Sequence, residues 1–126
     1  MLGSLDFSQE AWDAITGISP GRVKIAWDFV SCDSLVDPVP AKLAIKEGSS
    51  RFWFAFQVSN VKDPIINLRI LNNNAWVNLQ LQNYGFWLGT NSAGLTMPIV
   101  VEALDITGKK YSKSLSSIEG NQLLDF

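Results

Sequence analysis

The amino-acid sequence predicts an all-β fold: an antiparallel β-sandwich of two stacked sheets, preceded by a short amino-terminal helix. Three observations carry this. Apolar and polar residues alternate at period two through 23–29, 52–58, 66–70 and 77–81, which sends each apolar set to one face of a strand. Turn-forming clusters divide these runs at short intervals, the pattern of a sandwich with seven or eight short strands. The helical period is confined to the start of the chain and gives way to period two from Arg22 onward. At 126 residues, 47% hydrophobic and 17% charged, the chain fits one domain with a sizeable core.

Residues 8–16 are expected to form the helix. Ser8 is a good N-cap, Glu10 places an acid in the first turn and Gly17 is a stop. Trp12 and Ile15 share a face that needs a packing partner. In 22–29, Val23, Ile25, Trp27 and Phe29 alternate with Arg22, Lys24, Ala26 and Asp28, so a half-buried strand is expected with Trp27 in the core. A loop over 32–40 is punctuated by Pro38 and Pro40. Leu43 and Ile45 point inward from the next short strand, between outward Lys42, Ala44 and Lys46.

The run 51–59 places Phe52, Phe54, Phe56 and Val58 inward and Arg51, Trp53, Ala55, Gln57 and Ser59 outward. Trp53 breaks the polar character of its face. It is either a contact residue or an indole covered by a neighbouring loop. After a turn at Asp63–Pro64, Ile66, Leu68 and Ile70 are expected inward. Asn72, Asn73 and Asn74 form a turn. The 76–82 run then reads as one strand with Val77, Leu79 and Leu81 inward. Its other parity carries Trp76, Asn78, Gln80 and Gln82, continuing to Tyr84. The almost uniformly apolar 97–106 run is a central strand. It turns through Thr107, Gly108 and Lys109 into 111–115, and 116–126 is a weakly patterned tail.

Composition removes several classes of chemistry. There is no histidine, so Ser-His-Asp and Cys-His catalysis are excluded, and one cysteine without histidine leaves no zinc site. Cys32 is alone, which excludes a disulfide within the chain. No glycine-rich phosphate loop occurs. A glycosidase needs two facing carboxylates, but Asp33, Asp37, Asp63 and Asp105 fall in turns and strand ends. The expectation is a non-enzymatic binding module without metal or cofactor. A net charge of -2 gives no general attraction to nucleic acid or anionic lipid, and no apolar run reaches membrane-spanning length. The first residues lack the basic and apolar regions of a secretory signal.

The block from Lys46 to Trp53 (KEGSSRFW), with Gln57 to Asn60, Asp63 to Ile65, Ala75–Trp76, Asn83 to Trp87 and Asp105 to Lys109, resembles the carboxy-terminal, cellulose-binding domain of expansins. The similarity runs from about Leu5 to about Ser116, with many blocks in the same order and spacing. It implies an immunoglobulin-like sandwich over 21–126, with 1–20 as the tail of the family's double-psi barrel domain. It also implies a secreted, monomeric, non-hydrolytic protein that binds cellulose, related β-glucan or xylan. Wall loosening requires both expansin domains, so binding without loosening is expected. Asp6 matches the acidic residue of the barrel's site. With the rest of the barrel missing, it reads as a vestigial acid before the helix cap.

Carried over residue by residue, the family's aromatic row falls on Phe52, Trp53 and Tyr84, with Lys46 as a polar contact. Parity agrees on Trp53, Tyr84 and Lys46 but places Phe52 inward; a bulge where the strand begins would reconcile the two. An aromatic ring laid on the C–H face of a pyranose gains about 1–2 kcal/mol by area. Lys46, Gln57, Asn78, Gln80 and Gln82 are expected at the rim as hydrogen-bonding groups. Trp76, Phe86 and Trp87 are expected to be structural. The competing reading is an immunoglobulin-like protein-interaction domain using the same aromatic patch. Evenly spaced rings on a flat sheet favour sugar.

Overall fold

The computed structural model describes residues 3–36 and 39–126. Asp37 and Pro38, placed above in a loop, lie outside them. The helix α1 spans Gln9–Thr16. The Ser8 hydroxyl accepts the N–H of Ala11 at 3.3 Å, and Gly17, left-handed at φ 61°, donates its N–H to the Asp13 carbonyl at 3.1 Å. Both caps satisfy groups that the helix itself leaves unpaired. No α1 residue is buried. The Trp12 indole N–H turns back to the Ile18 carbonyl at 2.8 Å.

The run 22–29 departs from expectation. It forms no strand, each of its residues is exposed, and Trp27, expected in the core, is 37% exposed. Alternation creates a face but not a ladder, and a strand also needs a neighbour for its N–H and C=O groups. Among the described residues no segment pairs with 22–31. Trp27 and Phe29 meet edge-to-face instead, with ring centroids 5.5 Å apart. The first paired strand begins only at Lys42.

Nine strands follow: β1 (Lys42–Ile45), β2 (Trp53–Ser59), β3 (Ile65–Asn72), β4 (Ala75–Asn78), β5 (Gln80–Leu81), β6 (Trp87–Thr90), β7 (Ile99–Asp105), β8 (Lys110–Leu115) and β9 (Gln122–Asp125). They form a five-stranded sheet, β5-β6-β2-β1-β9, and a four-stranded sheet, β4-β3-β7-β8. Every pairing is antiparallel. The expected sandwich is present. Leu43, Ile45, Phe54 and Phe56 of the first sheet meet Leu68, Ile70, Ile99 and Val101 of the second in one buried cluster. Each such side chain contributes about 1.5–3 kcal/mol by leaving water. β7 is an interior strand, as its apolar run predicts.

Four further departures have local causes. A bulge in the β3–β7 pairing shifts register between Ile65 and Asn67, so Ile65 packs on the core and Ile66 is 52% exposed. The 76–82 run is two strands in different sheets. The chain crosses at buried Leu79, whose N–H reaches the Leu68 carbonyl at 2.9 Å. Val77 and Leu81, expected inward, are exposed on the edge strands β4 and β5. The 116–126 tail contains β9, which pairs with β1 and packs Leu124 and Phe126 onto the core. β6 was not apparent as a strand from its sequence.

Candidate functional site

The Lys46–Trp53 block is the loop between β1 and β2, and its serines replace part of the backbone ladder. Gly48 takes φ 88°, a left-handed turn conformation. The buried Ser49 hydroxyl accepts the Ala55 N–H at 3.2 Å. The Ser50 hydroxyl accepts the N–H groups of both Phe52 and Trp53, at 3.2 and 3.4 Å. The pleat therefore starts only at Trp53, and strand parity does not extend back to Phe52. This corrects the inward placement of Phe52: it is 55% exposed. Its ring lies against Gly94, with the Arg51 guanidinium 5.8 Å from its centroid.

From Trp53 onward, β2 alternates as expected. Phe54 and Phe56 enter the core, while Trp53, Ala55 and Gln57 face outward. Lys46 continues β1 beside Ala55, its N–H donating to the Ala55 carbonyl at 3.0 Å. On the other flank, Trp53 pairs with Thr90 and Ala55 with Leu88, which puts Phe86, two residues earlier, on this same outer face. Lys46 Nζ lies 5.3 Å from the Phe86 ring centroid. Ala55 has no exposure although it points outward, because larger neighbours on its own face cover it.

Tyr84 rides on the 82–85 turn between β5 and β6 and is 49% exposed. Its ring lies 6.1 Å from that of Phe86, tilted by 35°. Gly85 takes φ 82°, and Gln57 Nε2 reaches the Gly85 carbonyl at 3.5 Å, linking the turn to β2. One face of the five-stranded sheet thus carries Trp53, Phe86 and Tyr84 along the strand direction, with Lys46 beside Phe86. Phe52 marks its end. The Trp53 and Phe86 levels are separated by four residues of β6, roughly 13 Å at strand rise.

Among the described residues no group of three or more His, Cys, Asp or Glu could hold a metal ion. No described helix is long and apolar enough to cross a membrane. What the face offers chemically around these rings is aromatic surface, the Lys46 ammonium and the amides of Gln57 and Gln80, while toward β9 Lys42 is paired with Asp125.

No protein-family model matches the chain. Expansin-YoaJ of Bacillus subtilis is 33% identical over 118 residues, covering 92% of this chain and 48% of that protein. Expansin-like protein 6 of Dictyostelium discoideum is 25% identical over 126 residues, covering 95% and 41%. The chain is an expansin homologue.

Among solved structures, the apo expansin of Clavibacter michiganensis superposes with a TM-score of 0.63 at 26% identity, over 71% of this chain and 44% of that one. A mutant of the same expansin in complex with cellohexaose gives 0.63 and 26%, over 72% and 44%. The chain spans just under half the length of the expansins it matches, and its sandwich fits their carboxy-terminal domain.

Of the residues that the expansin resemblance singles out, Trp53, Tyr84 and Lys46 share one sheet face, and Phe52 stands at its end. Asp6 is far from them in sequence and exposed. It lines an open cleft of about 1080 Å³ between the 3–9 and 20–27 stretches. Asn78, expected at the rim of the site, lies instead on β4 in the other sheet, because the chain crosses at Leu79. Trp76 is on that sheet too. Phe86, expected to be structural, lies on the aromatic face. Only the packing of Trp87 on the core sets the residue before it outward, which the sequence of two adjacent aromatics does not reveal.

Proposed function

We propose that this chain is the non-catalytic polysaccharide-binding half of an expansin-like protein, secreted and acting on cellulose or a related β-glucan, with xylan as a further candidate. Trp53 and Tyr84 stack on sugar rings, Phe52 extends the row at one end and Lys46 hydrogen-bonds hydroxyls beside it. One observation carries the reading: Trp53, Phe86 and Tyr84 follow one another along a single sheet face, which suits an extended chain of rings better than a globular partner. The cellohexaose complex of the Clavibacter michiganensis expansin supports the ligand class. The same reading makes residues 1–20 the tail of the barrel domain and 21–126 the binding half.

Depletion from a cellulose slurry, measured beside a melting curve, tests this. Trp53→Ala should cost roughly 1–3 kcal/mol of affinity while barely moving the melting temperature. Trp53→Ala combined with Tyr84→Ala should nearly abolish binding. Lys46→Ala should cost less than about 1 kcal/mol, since a neutral polymer offers it a hydrogen bond but no ion pair. Full binding by the folded double variant overturns the reading.

A further inference from the structure

The outer face of the four-stranded sheet carries a second exposed indole. Trp76, on edge strand β4, is 42% exposed. It is also fixed in place: the Arg69 guanidinium lies 4.0 Å from its ring centroid. Arg69 is held in turn by Glu102, its cross-strand partner on β7, whose Oε1 accepts Arg69 Nε at 2.9 Å and Nη2 at 2.7 Å. A ring stacked on a cation that is itself anchored keeps one orientation, so less freedom is lost when a ligand lies on it. Register extends the surface. Trp76 pairs with Leu71, and Leu71 pairs with Val100, giving an apolar row across three strands beside the polar row Asn78, Arg69 and Glu102. Leu71 also floors an open hollow of about 300 Å³ whose lining includes Asn74 and Thr96.

We propose that this face is a second sugar-binding platform, with Trp76 as the stacking ring and a neutral glycan segment as the ligand. The charges decide the class. Arg69 and Glu102 cancel each other in place, so this part of the surface complements an uncharged ligand. A fixed aromatic plane with the Asn78 carboxamide two residues along the same strand face suits a polyhydroxylated ring, whose C–H face is apolar and whose rim is polar. The two platforms lie on opposite sheets of the sandwich. One domain can therefore hold two glycan segments at once and bridge them, and each contact raises the effective concentration for the other.

The five tryptophan indole N–H resonances of the ¹⁵N-labelled chain report this directly when cellohexaose is titrated in. The Trp76 resonance should move saturably, both in the unaltered chain and in the Trp53→Ala, Tyr84→Ala double variant, with midpoints within about twofold of each other. Trp76→Phe should remove that resonance and leave the core-facing Trp87 resonance in place, which verifies the fold. Movement of Trp53 with Trp76 stationary overturns this inference and leaves the proposed function standing. Movement of Trp76 with Trp53 stationary does the reverse. A Trp76 resonance that shifts on dilution without sugar makes the face a self-association surface and overturns its assignment to sugar.

Discussion

A Cβ built on Gly89 of β6 would stand 2.4 Å from the Phe54 ring and 2.6 Å from Leu79 Cδ2. Both are core side chains with nowhere to retreat, so this glycine is needed for the close approach of β6 to the core rather than for a special φ. Gly89→Ala is therefore expected to destabilise the fold by about 1–3 kcal/mol or more through overpacking. A denaturant midpoint that stays unchanged would show that β6 can move outward. Ser49 and Ser50 act at the same scale. Their hydroxyls take up N–H groups at the start of β2, which leaves Phe52 before the pleat and exposed.

Among the elements, α1 and the 22–31 run should exchange their amide hydrogens fast, while β3 and β7, which pair with neighbours on both sides, should be the most protected. Equal protection of α1 and β7 would show that the helix has a packing partner. The contrast explains what the sequence could reveal. Caps are local, so Ser8, Gly17 and the helix between them were legible, as were the inward sets Leu43/Ile45 and Phe54/Phe56. Pairing is not local. Val23, Ile25, Trp27 and Phe29 show the alternation of a strand, but nothing in those residues tells whether a neighbouring strand exists. Likewise the crossing at Leu79 leaves the alternation of 76–82 intact while moving Trp76 and Gln80 to opposite sheets. The outward placement of Trp53 and Lys46 was legible from parity, whereas Tyr84 sits on a turn beyond the crossing at Leu79, where parity from Trp76 no longer applies. Phe86 was hidden because two adjacent aromatics do not say which one enters the core.

For the molecule as a whole, pH separates folding from binding. With no histidine in the chain, no side chain has its ordinary pKa between pH 5 and 8. Stability should therefore be nearly flat there. The acid limb is different. The Thr107 hydroxyl and the backbone N–H groups of Lys109, Thr107 and Gly108 hold the Asp105 carboxyl below its ordinary 3.8. Its Oδ1 accepts Thr107 Oγ1 at 2.6 Å, Thr107 N at 2.8 Å and Lys109 N at 2.9 Å, which closes the β7–β8 turn. Asp33 and Asp125 are lowered by Lys62 and Lys42, in exposed pairs that salt screens. A carboxyl depressed by folding adds stability above its unfolded value, and that stability is lost as pH falls through the folded value. The melting temperature should thus hold from pH 8 to 5 and drop below about 4. Asp105→Asn should flatten that drop more than Asp33→Asn does. Binding through aromatic rings to a neutral polymer has no titrating group of its own at these pH values, so it should persist until the sandwich unfolds. Depletion isotherms taken beside melting curves from pH 8 to 3 decide the point. Cellulose binding lost at a pH where the fold remains intact would mean that a charged group, and not the row of rings, carries the affinity.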